Sequence, residues 1–234
     1  MSKLSEIAAP LDSPARPCCN ETWEEAYRRF ETPEEEIRKF LRRLRRVGAA
    51  AWPRNARIVE LFCGRGNGLK ALERLGFLQV EGVDLSPGLL AQYQGAARCY
   101  VADCRSLPFP DASKDIAIVQ GGLHHLEVLP DDLEAVLYEI HRVLGDAGLL
   151  VVVEPWTTPF LKGVHWAARQ RWLRRAWNKL DAFAVMTENE LTTYEQWLGQ
   201  PELILQRLHH WFVPVRQWGA WGKLTFVGRK RVSG

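Results

Sequence analysis

A glycine-rich turn follows a short apolar run early in the chain. Residues 58–62 form the run, and Gly64, Gly66 and Gly68 follow it closely. Because glycine has no side chain, such a turn lets a nucleotide-like ligand lie against the backbone. No Gly-Lys-Ser/Thr sequence follows, which argues against a nucleoside triphosphate. The acid Glu60 precedes the glycines, and it would repel a phosphate group but attract a cationic ammonium group.

Two further acids stand at the ends of later apolar runs. Asp84 closes the run that begins at Val80, and it lies 24 residues after Glu60. This is close to the spacing at which an acid after the second strand accepts two ribose hydroxyls. Asp103 closes a third run in the same way. Each acid alone is more typical of a helix cap, but parallel strands end at one edge of a sheet, so the three are predicted to converge.

The pattern after Pro53 predicts the sheet that would position these residues. Strand-like runs at 58–62, 80–85, 99–102, 115–119 and 149–154 alternate with helix-like runs at 69–75 and 133–144. Such crossover connections are typical of a parallel sheet with helices on both faces. Two final strand-like runs, 203–212 and 224–229, predict an antiparallel pair that completes the sheet. The expected fold class is therefore α/β, doubly wound and mostly parallel.

Helices are predicted on both sides of this core. Trp23, Tyr27 and Phe30 share one face of a first helix, and Thr32 followed by Pro33 is typical of the start of a second. After the core, residues 160–180 have helical spacing, many arginines and tryptophans, and no acid. The sequence from Thr187 to Glu190 then predicts the cap of a shorter helix that ends at residue 198.

Composition limits the class of protein. A chain of 234 residues, 47% of them hydrophobic and 25% charged, fits one globular α/β domain. A net charge of +3 is too small to indicate a nucleic-acid partner by itself. The five cysteines show no paired spacing, which indicates reduced thiols and predicts a cytoplasmic location. No membrane span and no secretory signal are expected.

Taken as a set, the motifs resemble the class I S-adenosylmethionine-dependent methyltransferases of the small-molecule type. The matching segments are Glu60-Leu-Phe-Cys-Gly-Arg-Gly, Val83-Asp84-Leu-Ser, Asp103-Cys-Arg-Ser-Leu-Pro-Phe, Gly121-Gly-Leu-His-His-Leu and Glu139-Ile-His-Arg-Val-Leu. The similarity covers about residues 57–155. It implies a seven-stranded sheet and S-adenosylmethionine as the cofactor. The Asn/Asp-Pro-Pro-Tyr/Phe element of many nucleic-acid and amide N-methyltransferases is absent, which disfavours those acceptors.

The resemblance also implies roles for the residues at the strand ends. Gly64 and Gly66 would approach the methionine and adenosine portions, Asp84 would bind ribose, and Asp103 would receive the adenine amino group. The family usually has a glycine where Phe62 stands, so that ring is expected to point into the core. The predicted cofactor-binding residues are Glu60, Phe62, Gly64, Gly66, Asp84, Leu85, Asp103, Cys104 (through its backbone, beside the adenine ring) and Gln120 (through its backbone, at the aminoacyl part).

The reaction itself needs little from the protein beyond alignment, because a sulfonium methyl is already a good electrophile. A hydroxyl or acidic carbon as acceptor would also need proton removal, for which histidine is suited near neutral pH. His124 and His125 follow the fourth strand, and either one is a candidate base. A structural role in the loop fits them equally well. Glu154, which ends strand five, is a second candidate, and no metal is predicted because no His/Cys/Asp cluster has ligand spacing.

The predicted organisation is a single domain with a helical insertion on the acceptor side. Residues 1–20 form a tail, 21–50 the N-terminal helices, 57–155 the cofactor-binding core, 156–200 the insertion and 201–234 the C-terminal strands. The basic helical stretch is interpreted as a packed helix or an acceptor lid in preference to a membrane contact. Aromatic residues in this part of the chain suit a planar or lipid-like acceptor, and they include His165, Trp166, Tyr194, His209, His210, Trp211, Trp218 and Trp221.

Two other classes of function stay open at this stage, together with the identity of the acceptor and the oligomeric state. One is a non-catalytic protein that binds S-adenosylmethionine or S-adenosylhomocysteine. The other is an NAD-dependent dehydrogenase, which would share the fold but is disfavoured by Glu60 and by the segment around Asp103. A methyltransferase that acts on a lipid-like acceptor at a membrane surface is a variant of the main hypothesis.

Overall fold

A seven-stranded sheet lies at the centre of the computed structural model, which describes residues 21–232. The strands are β1 (Arg57–Leu61), β2 (Gln79–Asp84), β3 (Arg98–Val101), β4 (Lys114–Gln120), β5 (Leu144–Pro155), β6 (Phe212–Ala220) and β7 (Lys223–Lys230). They are arranged in the order β3-β2-β1-β4-β5-β7-β6. Strands β1 to β5 are parallel, whereas β7 runs antiparallel to both β5 and β6. The predicted fold class is confirmed.

Helices connect these strands and cover the sheet. They are α1 (Glu21–Phe30), α2 (Pro33–Arg46), α3 (Asn67–Arg74), α4 (Pro87–Leu90), α5 (Asp131–Val143), α6 (Pro159–Ala168), α7 (Arg171–Ala176), α8 (Asn178–Asn189), α9 (Leu191–Gly199) and α10 (Pro201–Trp211). Within residues 21–232, none of the helices has the length and apolar character needed to cross a membrane. The tail predicted for residues 1–20 lies outside the described part of the chain.

Two apolar cores, one on each face of the sheet, hold the layers together. Along β1 the side chains alternate, so that Ile58 packs into one core and Val59 into the other. The same alternation continues in β4, where Ile118 and Val119 face opposite sides. All four side chains are fully buried. Because helices cover both faces, the central strands are mostly apolar, as is typical of parallel sheets.

The order of the strands creates the place where a ligand would bind. From β1 the chain moves outward to β2 and β3, and it then returns to β4 on the opposite side of β1. Loops that leave the carboxyl ends of β1 and β4 therefore diverge and open a crevice between them. Four polar residues lie at or next to the carboxyl ends of β1, β2, β4 and β5, and they are, in that order, Glu60, Asp84, Gln120 and Glu154.

The N-terminal helices pack beside the glycine turn. As predicted, α2 begins with Thr32, whose side chain accepts from the backbone N–H of Glu35 while the Glu35 side chain accepts from the backbone N–H of Thr32. Further along α2, the buried Glu36 accepts a hydrogen bond of 2.7 Å from Asn67 at the start of α3. This contact ties the N-terminal helices to the turn that follows β1.

The prediction of a strand at 203–212 is wrong. These residues belong to α10, and the last strand pair begins only at Phe212. Pro201 occupies the first turn of the helix, and Ile204 and Leu208 are fully buried on one helical face. The run of apolar residues at 203–205 fits a buried strand or a helix equally well, and the spacing of the buried pair decides for the helix.

The prediction of one continuous helix over residues 160–180 is also wrong. The chain turns where the backbone of Gln170 and of Trp177 becomes extended, which divides the stretch into α6, α7 and the start of α8. The predicted cap at Thr187 is wrong as well, because Thr187 lies inside α8 and its hydroxyl donates to the carbonyls of Phe183 and Ala184. The helical region therefore extends to Trp211 instead of residue 200.

Candidate functional site

The glycine turn between β1 and α3 leaves one stretch of backbone open. Gly64 has a φ of +52°, and a Cβ atom built on it would meet nothing within 4 Å. A Cβ on Gly66, at φ +74°, would instead overlap the ring of Tyr93. The backbone of Gly64 is thus open on this side, whereas Gly66 is required for the packing of Tyr93.

Phe62 begins the turn in the left-handed region, with a φ of +55°. Its ring lies against Gly122, where a Cβ atom would overlap the ring, and it packs against the core that contains Leu61 and Val119. Phe62 therefore adopts a backbone conformation that favours glycine, and the packing of its ring offsets the backbone strain.

Asp84 links the glycine turn to the loop after β2. Its Oδ2 atom accepts a hydrogen bond of 2.7 Å from the backbone N–H of Gly64, and its Oδ1 atom accepts one of 2.8 Å from Ser86. Burial raises the pKa of the carboxyl group, while the two N–H donors act in the opposite direction. Each oxygen keeps a further acceptor position, so the carboxylate can still bind a pair of hydroxyl groups. The next residue, Leu85, is half exposed on the same rim.

Asp103 forms an ion pair that the sequence did not indicate. Its carboxylate accepts from the backbone N–H of Arg105 at 2.8 Å and from the guanidinium Nη2 at 2.7 Å. Arg105 also reaches Asp132 at 2.7 Å. Although burial acts to raise it, the pKa of Asp103 lies below its ordinary value because of these donors. Cys104, between the two paired residues, is buried in the core, so only its backbone is placed to contact a ligand.

Glu60 lies beneath the glycine turn and is almost entirely buried. Its Oε1 atom accepts a hydrogen bond of 3.3 Å from Gln120 Nε2, and a Cβ on Gly68 would overlap its carboxyl group. The Glu60 Oε2 and Gln120 Oε1 atoms are buried and have no hydrogen-bond partner within the described residues. Burial, against the bond from Gln120, raises the pKa of Glu60 to about 8.

His124 and Glu154 form a buried pair at the carboxyl ends of β4 and β5. The Nδ1 atom of His124 lies 2.7 Å from Glu154 Oε2, and Glu154 Oε1 accepts from the backbone N–H groups of Gly122 and Leu123 at 2.8 and 2.9 Å. Although burial acts to raise it, the pKa of Glu154 lies below its ordinary value because His124 and the two amides stabilise the carboxylate. Glu154 is fully buried, and its carboxylate contacts the His124 ring and the two amides.

A residue that the sequence did not single out completes this corner. Glu190, at the junction of α8 and α9, places Oε2 3.8 Å from His124 Nε2 and Oε1 3.5 Å from His125 Nδ1. Burial, together with the neighbouring His124, holds the pKa of His125 well below its ordinary value. Glu190 lies 65 residues after His125, and the only pattern around it is typical of a helix cap. Because Glu190 is so far from the two histidines in the sequence, no ligand spacing indicated that the three residues come together.

Of the other aromatic candidates, two lie next to this corner. The buried Tyr194 has its ring 6.0 Å from that of His124, and its hydroxyl lies 3.2 Å from His165 Nε2. The remaining candidates have other surroundings: Trp166 is exposed, Trp221 contacts Phe160, Trp218 contacts Arg46, His209 contacts Gln217, and His210 and Trp211 end α10.

Comparisons with known proteins agree with this geometry. Residues 59–152 match the family model described as a methyltransferase domain. The chain is 34% identical over 120 residues to the demethylmenaquinone methyltransferase of Thermus thermophilus, and the match covers 48% of this chain and 53% of that protein. The chain thus spans about half the length of this curated relative.

Solved structures share the fold at low identity. A protein from Pyrococcus horikoshii OT3 gives a TM-score of 0.66 at 16% identity, covering 91% of this chain and 100% of that chain. A second similar structure is the geranyl diphosphate C-methyltransferase of Streptomyces coelicolor A3(2), solved with Mg²⁺, geranyl-S-thiolodiphosphate and S-adenosyl-L-homocysteine. Its TM-score is 0.60 at 13% identity, and the match covers 94% of this chain and 83% of that chain. Residues 59–152 thus match a methyltransferase domain, in agreement with the resemblance to the class I S-adenosylmethionine-dependent methyltransferases.

Proposed function

We propose that the protein transfers the methyl group of S-adenosylmethionine to a small-molecule acceptor. The observation that carries this proposal is the contact of Asp84 with the open backbone of Gly64, with Glu60 and Asp103 at or just after the ends of the neighbouring parallel strands. Three acids and an exposed glycine at the carboxyl ends of adjacent parallel strands suit a ligand that has an ammonium group and ribose hydroxyls. The same acids disfavour a ligand with a pyrophosphate at this position.

The residues present fit the cofactor at its aminoacyl end. Glu60 Oε2 and Gln120 Oε1 are buried acceptors without a partner in residues 21–232, and the α-ammonium group of the cofactor would supply donors to both. Buried acceptors of this kind are rare unless a ligand or water satisfies them. The open side of Gly64 leaves space for the methionine chain next to them.

At the adenosine end the fit depends on acids and on an exposed apolar residue. Asp84 would accept the two ribose hydroxyls, and Leu85, 49% exposed, would pack against the adenine ring. Three Arg105 donors make four contacts with the Asp103 carboxylate, two on each oxygen, and these match its roughly four acceptor positions. The adenine amino group would therefore have to replace or share one of these contacts, beside the backbone of Cys104.

The bound cofactor supplies an electrophilic methyl group on a sulfonium. The chain's contribution is to hold that group and the acceptor in line and to exclude water, which can supply several kcal/mol. His124 lies at the end of β4 next to the cofactor rim, and Glu154 holds its ring through Nδ1. The Nε2 atom of His124 is thus left to act on the polar end of the acceptor.

An acceptor with polar and aromatic groups agrees with the lining of this corner. His124, His125, Glu190 and Tyr194 are buried or nearly so, and they combine polar atoms with aromatic surface. The relative from Thermus thermophilus is named a demethylmenaquinone methyltransferase. We therefore expect an acceptor that has a ring and a polar group at the methylated position.

One observation favours a second form of the function, in which the acceptor is lipid-like and is reached at a membrane surface. Trp166, Trp172 and Trp177 are 61%, 66% and 60% exposed on α6, α7 and the turn after α7. Basic residues surround them, and tryptophan with arginine is favoured at anionic lipid surfaces. Co-sedimentation with vesicles of anionic phospholipid tests this form: binding that is lost in a Trp166→Ala, Trp172→Ala variant supports it, and no binding by the parent protein refutes it.

The main proposal is tested by incubating the protein with S-adenosylmethionine labelled in its methyl group and a library of small aromatic and lipid-like acceptors. Label transfer is expected with the parent protein. The variant Asp84→Ala is expected to bind the cofactor at least about 100-fold more weakly, because hydrogen bonds to a charged group contribute about 1.5–3 kcal/mol each. Asp146→Ala, which removes an exposed acid far from the rim, is the matched control.

Three outcomes separate the hypotheses. Label transfer that Asp84→Ala abolishes supports the methyltransferase. Tight cofactor binding with no transfer to any acceptor in the library supports the non-catalytic binding protein instead. Equal cofactor affinity in Asp84→Ala and in the parent protein would remove the assignment of Asp84 to the ribose.

A further inference from the structure

We propose that His124, His125 and Glu190 bind one divalent transition-metal ion on the acceptor side of the pocket. The ligand atoms would be His124 Nε2, His125 Nδ1 and a carboxylate oxygen of Glu190. All three lie within 4.8 Å of one another. The binding of the ion does not depend on the proposed function, whereas its role toward the acceptor rests on it.

The distances suit an ion after a small closure of the side chains. Glu190 Oε2 is 3.8 Å from His124 Nε2, and Glu190 Oε1 is 3.5 Å from His125 Nδ1. An ion bound at about 2.0–2.2 Å from each ligand places neighbouring ligand atoms roughly 3–3.5 Å apart. The two separations to Glu190 are close to this range and the third is no more than 4.8 Å, so the closure needed is on the order of 1 Å or less for each side chain. Their backbones are fixed by the turn after β4 and by the junction of α8 and α9.

The hydrogen bond to Glu154 prepares His124 as a ligand. Since a carboxylate only accepts, His124 Nδ1 donates to Glu154 Oε2 at 2.7 Å, and Nε2 is the ring nitrogen left to bind an ion. Glu154 is itself held by the amides of Gly122 and Leu123. A carboxylate that orients a histidine through its other nitrogen is the usual support for a metal ligand.

A cation would also fit the polar atoms of this corner. His124 Nε2 and the Glu190 carboxylate face each other at 3.8 Å, so an ion between them would contact both. His125 Nδ1 is buried, has no hydrogen-bond partner within residues 21–232, and faces the same carboxylate. One ion between the three atoms would satisfy both histidines at once.

The donor set selects the kind of ion. Two imidazoles and one carboxylate suit Zn²⁺, Fe²⁺, Co²⁺ or Mn²⁺, whereas Mg²⁺ and Ca²⁺ prefer oxygen ligands alone. Three protein ligands leave at least one position open, as in catalytic metal sites. An oxygen atom of the acceptor would occupy it, and the ion would lower the pKa of that hydroxyl group.

The methyl transfer then needs no oxidant or reductant. The hydroxyl proton leaves to water, the new O–C bond forms as the S–C bond of the sulfonium breaks, and S-adenosylhomocysteine leaves as a neutral thioether. The two histidines act as ligands in this scheme, so neither one has to act as the general base. The substrate class that follows is a phenol, an enol or another acceptor with an oxygen that binds a metal.

The site is tested by metal binding alone. The full chain is stripped with a chelator and titrated with Zn²⁺ by calorimetry and with Co²⁺ by absorption spectroscopy. Because thiols also bind Zn²⁺, the titration is repeated after replacing Cys18 and Cys19 with serine. One equivalent is expected, with an affinity that falls at least about 100-fold in Glu190→Gln and in His125→Ala, and about 10–100-fold in Glu154→Gln. His210→Ala, which removes an exposed histidine on α10, is the matched control.

Binding of S-adenosylhomocysteine by each variant serves as the check that the fold is intact. Loss of the metal in Glu190→Gln with cofactor binding retained supports the site. The proposal is overturned if the parent protein binds no stoichiometric ion, or if Glu190→Gln binds Zn²⁺ as tightly as the parent. Either of these results would leave the proposed methyltransferase function unchanged, because cofactor binding is measured separately.

Discussion

Replacing Glu60 with glutamine tests the charge of the carboxyl group beneath the glycine turn. Burial, opposed by the hydrogen bond from Gln120 and reinforced by the charge of Glu36, raises the pKa of Glu60 from 4.5 to about 8. The native protein therefore keeps this carboxyl group protonated at neutral pH. Glutamine has nearly the same shape and no titratable proton, so the variant removes the ionisation and little else.

The sign and size of the effect follow from proton linkage. Between pH 4.5 and about 8 the unfolded chain has lost this proton while the native chain retains it, so the free energy of unfolding falls as pH rises. The slope is about 1.4 kcal/mol per pH unit, which amounts to roughly 5 kcal/mol across the whole window. The stabilisation is complete below pH 4.5 and is lost once the pH passes about 8. Glu60→Gln has no such component.

Urea unfolding of the parent and of Glu60→Gln between about pH 5 and about pH 8 measures this difference. We expect the stability of the parent, relative to the variant, to fall by roughly 4 kcal/mol over that range. Glu202→Gln, which changes an exposed acid on α10, should give curves parallel to those of the parent. If the curves of Glu60→Gln are also parallel to the parent's, Glu60 is ionised in the native protein and the reasoning fails.

The same titration connects the buried acid to the cofactor. An ammonium group next to Glu60 favours the ionised carboxylate, so saturating S-adenosylhomocysteine should reduce the pH dependence of the parent's stability. Cofactor affinity measured by calorimetry should then rise with pH up to about 8 in the parent and stay flat in Glu60→Gln. An equal pH dependence in the two proteins would separate Glu60 from the ammonium group.

Three further predictions concern the fold and the rim of the site. Gly68→Ala should lower the free energy of unfolding by about 1–3 kcal/mol, in spite of alanine's better helix propensity, because the added methyl group overlaps the Glu60 carboxyl group; urea unfolding measures this, and a stabilised variant would contradict the packing. Arg105→Ala should cost less than about 1 kcal/mol, because its ion pairs are partly exposed, and it should raise the pKa of Asp103, which NMR titration of that carboxyl group can follow; an unchanged pKa would show that the pair is not formed in solution. Ile204→Ala should cost about 2–5 kcal/mol because the side chain is fully buried on α10, whereas the exposed Gln206→Ala should cost little, and similar losses at both positions would argue against this helix.

The cofactor side of the site could be predicted from the sequence because its signals are local. Each acid or glycine stands directly after an apolar run, and the parallel arrangement of β1, β2 and β3 brings the strand ends together regardless of loop details. The geometry of the individual contacts could not be predicted in the same way. Arg105 pairs with Asp103 because the turn after β3 folds the guanidinium back onto the carboxylate, and no spacing rule predicts such a contact.

The acceptor side was predicted only in part because its residues come from distant segments. His124 and His125 follow β4 and were recognisable by position, whereas Glu190 reaches them through the path of three helices. That path depends on the breaks at Gln170 and Trp177, which no glycine or proline marks in the sequence. The strand wrongly predicted at 203–212 has a similar origin, since a short apolar run does not distinguish a buried strand from a helix, and only the packing of the neighbouring elements decides.

The crystal structure of the protein grown with S-adenosylhomocysteine would test the cofactor assignment most directly. We expect the ribose hydroxyls within hydrogen-bond distance of the Asp84 carboxylate, the amino group next to Glu60 and Gln120, and the homocysteine chain along the open side of Gly64. A structure in which the ligand binds elsewhere, or in which Asp84 makes no contact with the ribose, would contradict the proposed site and with it the proposed function.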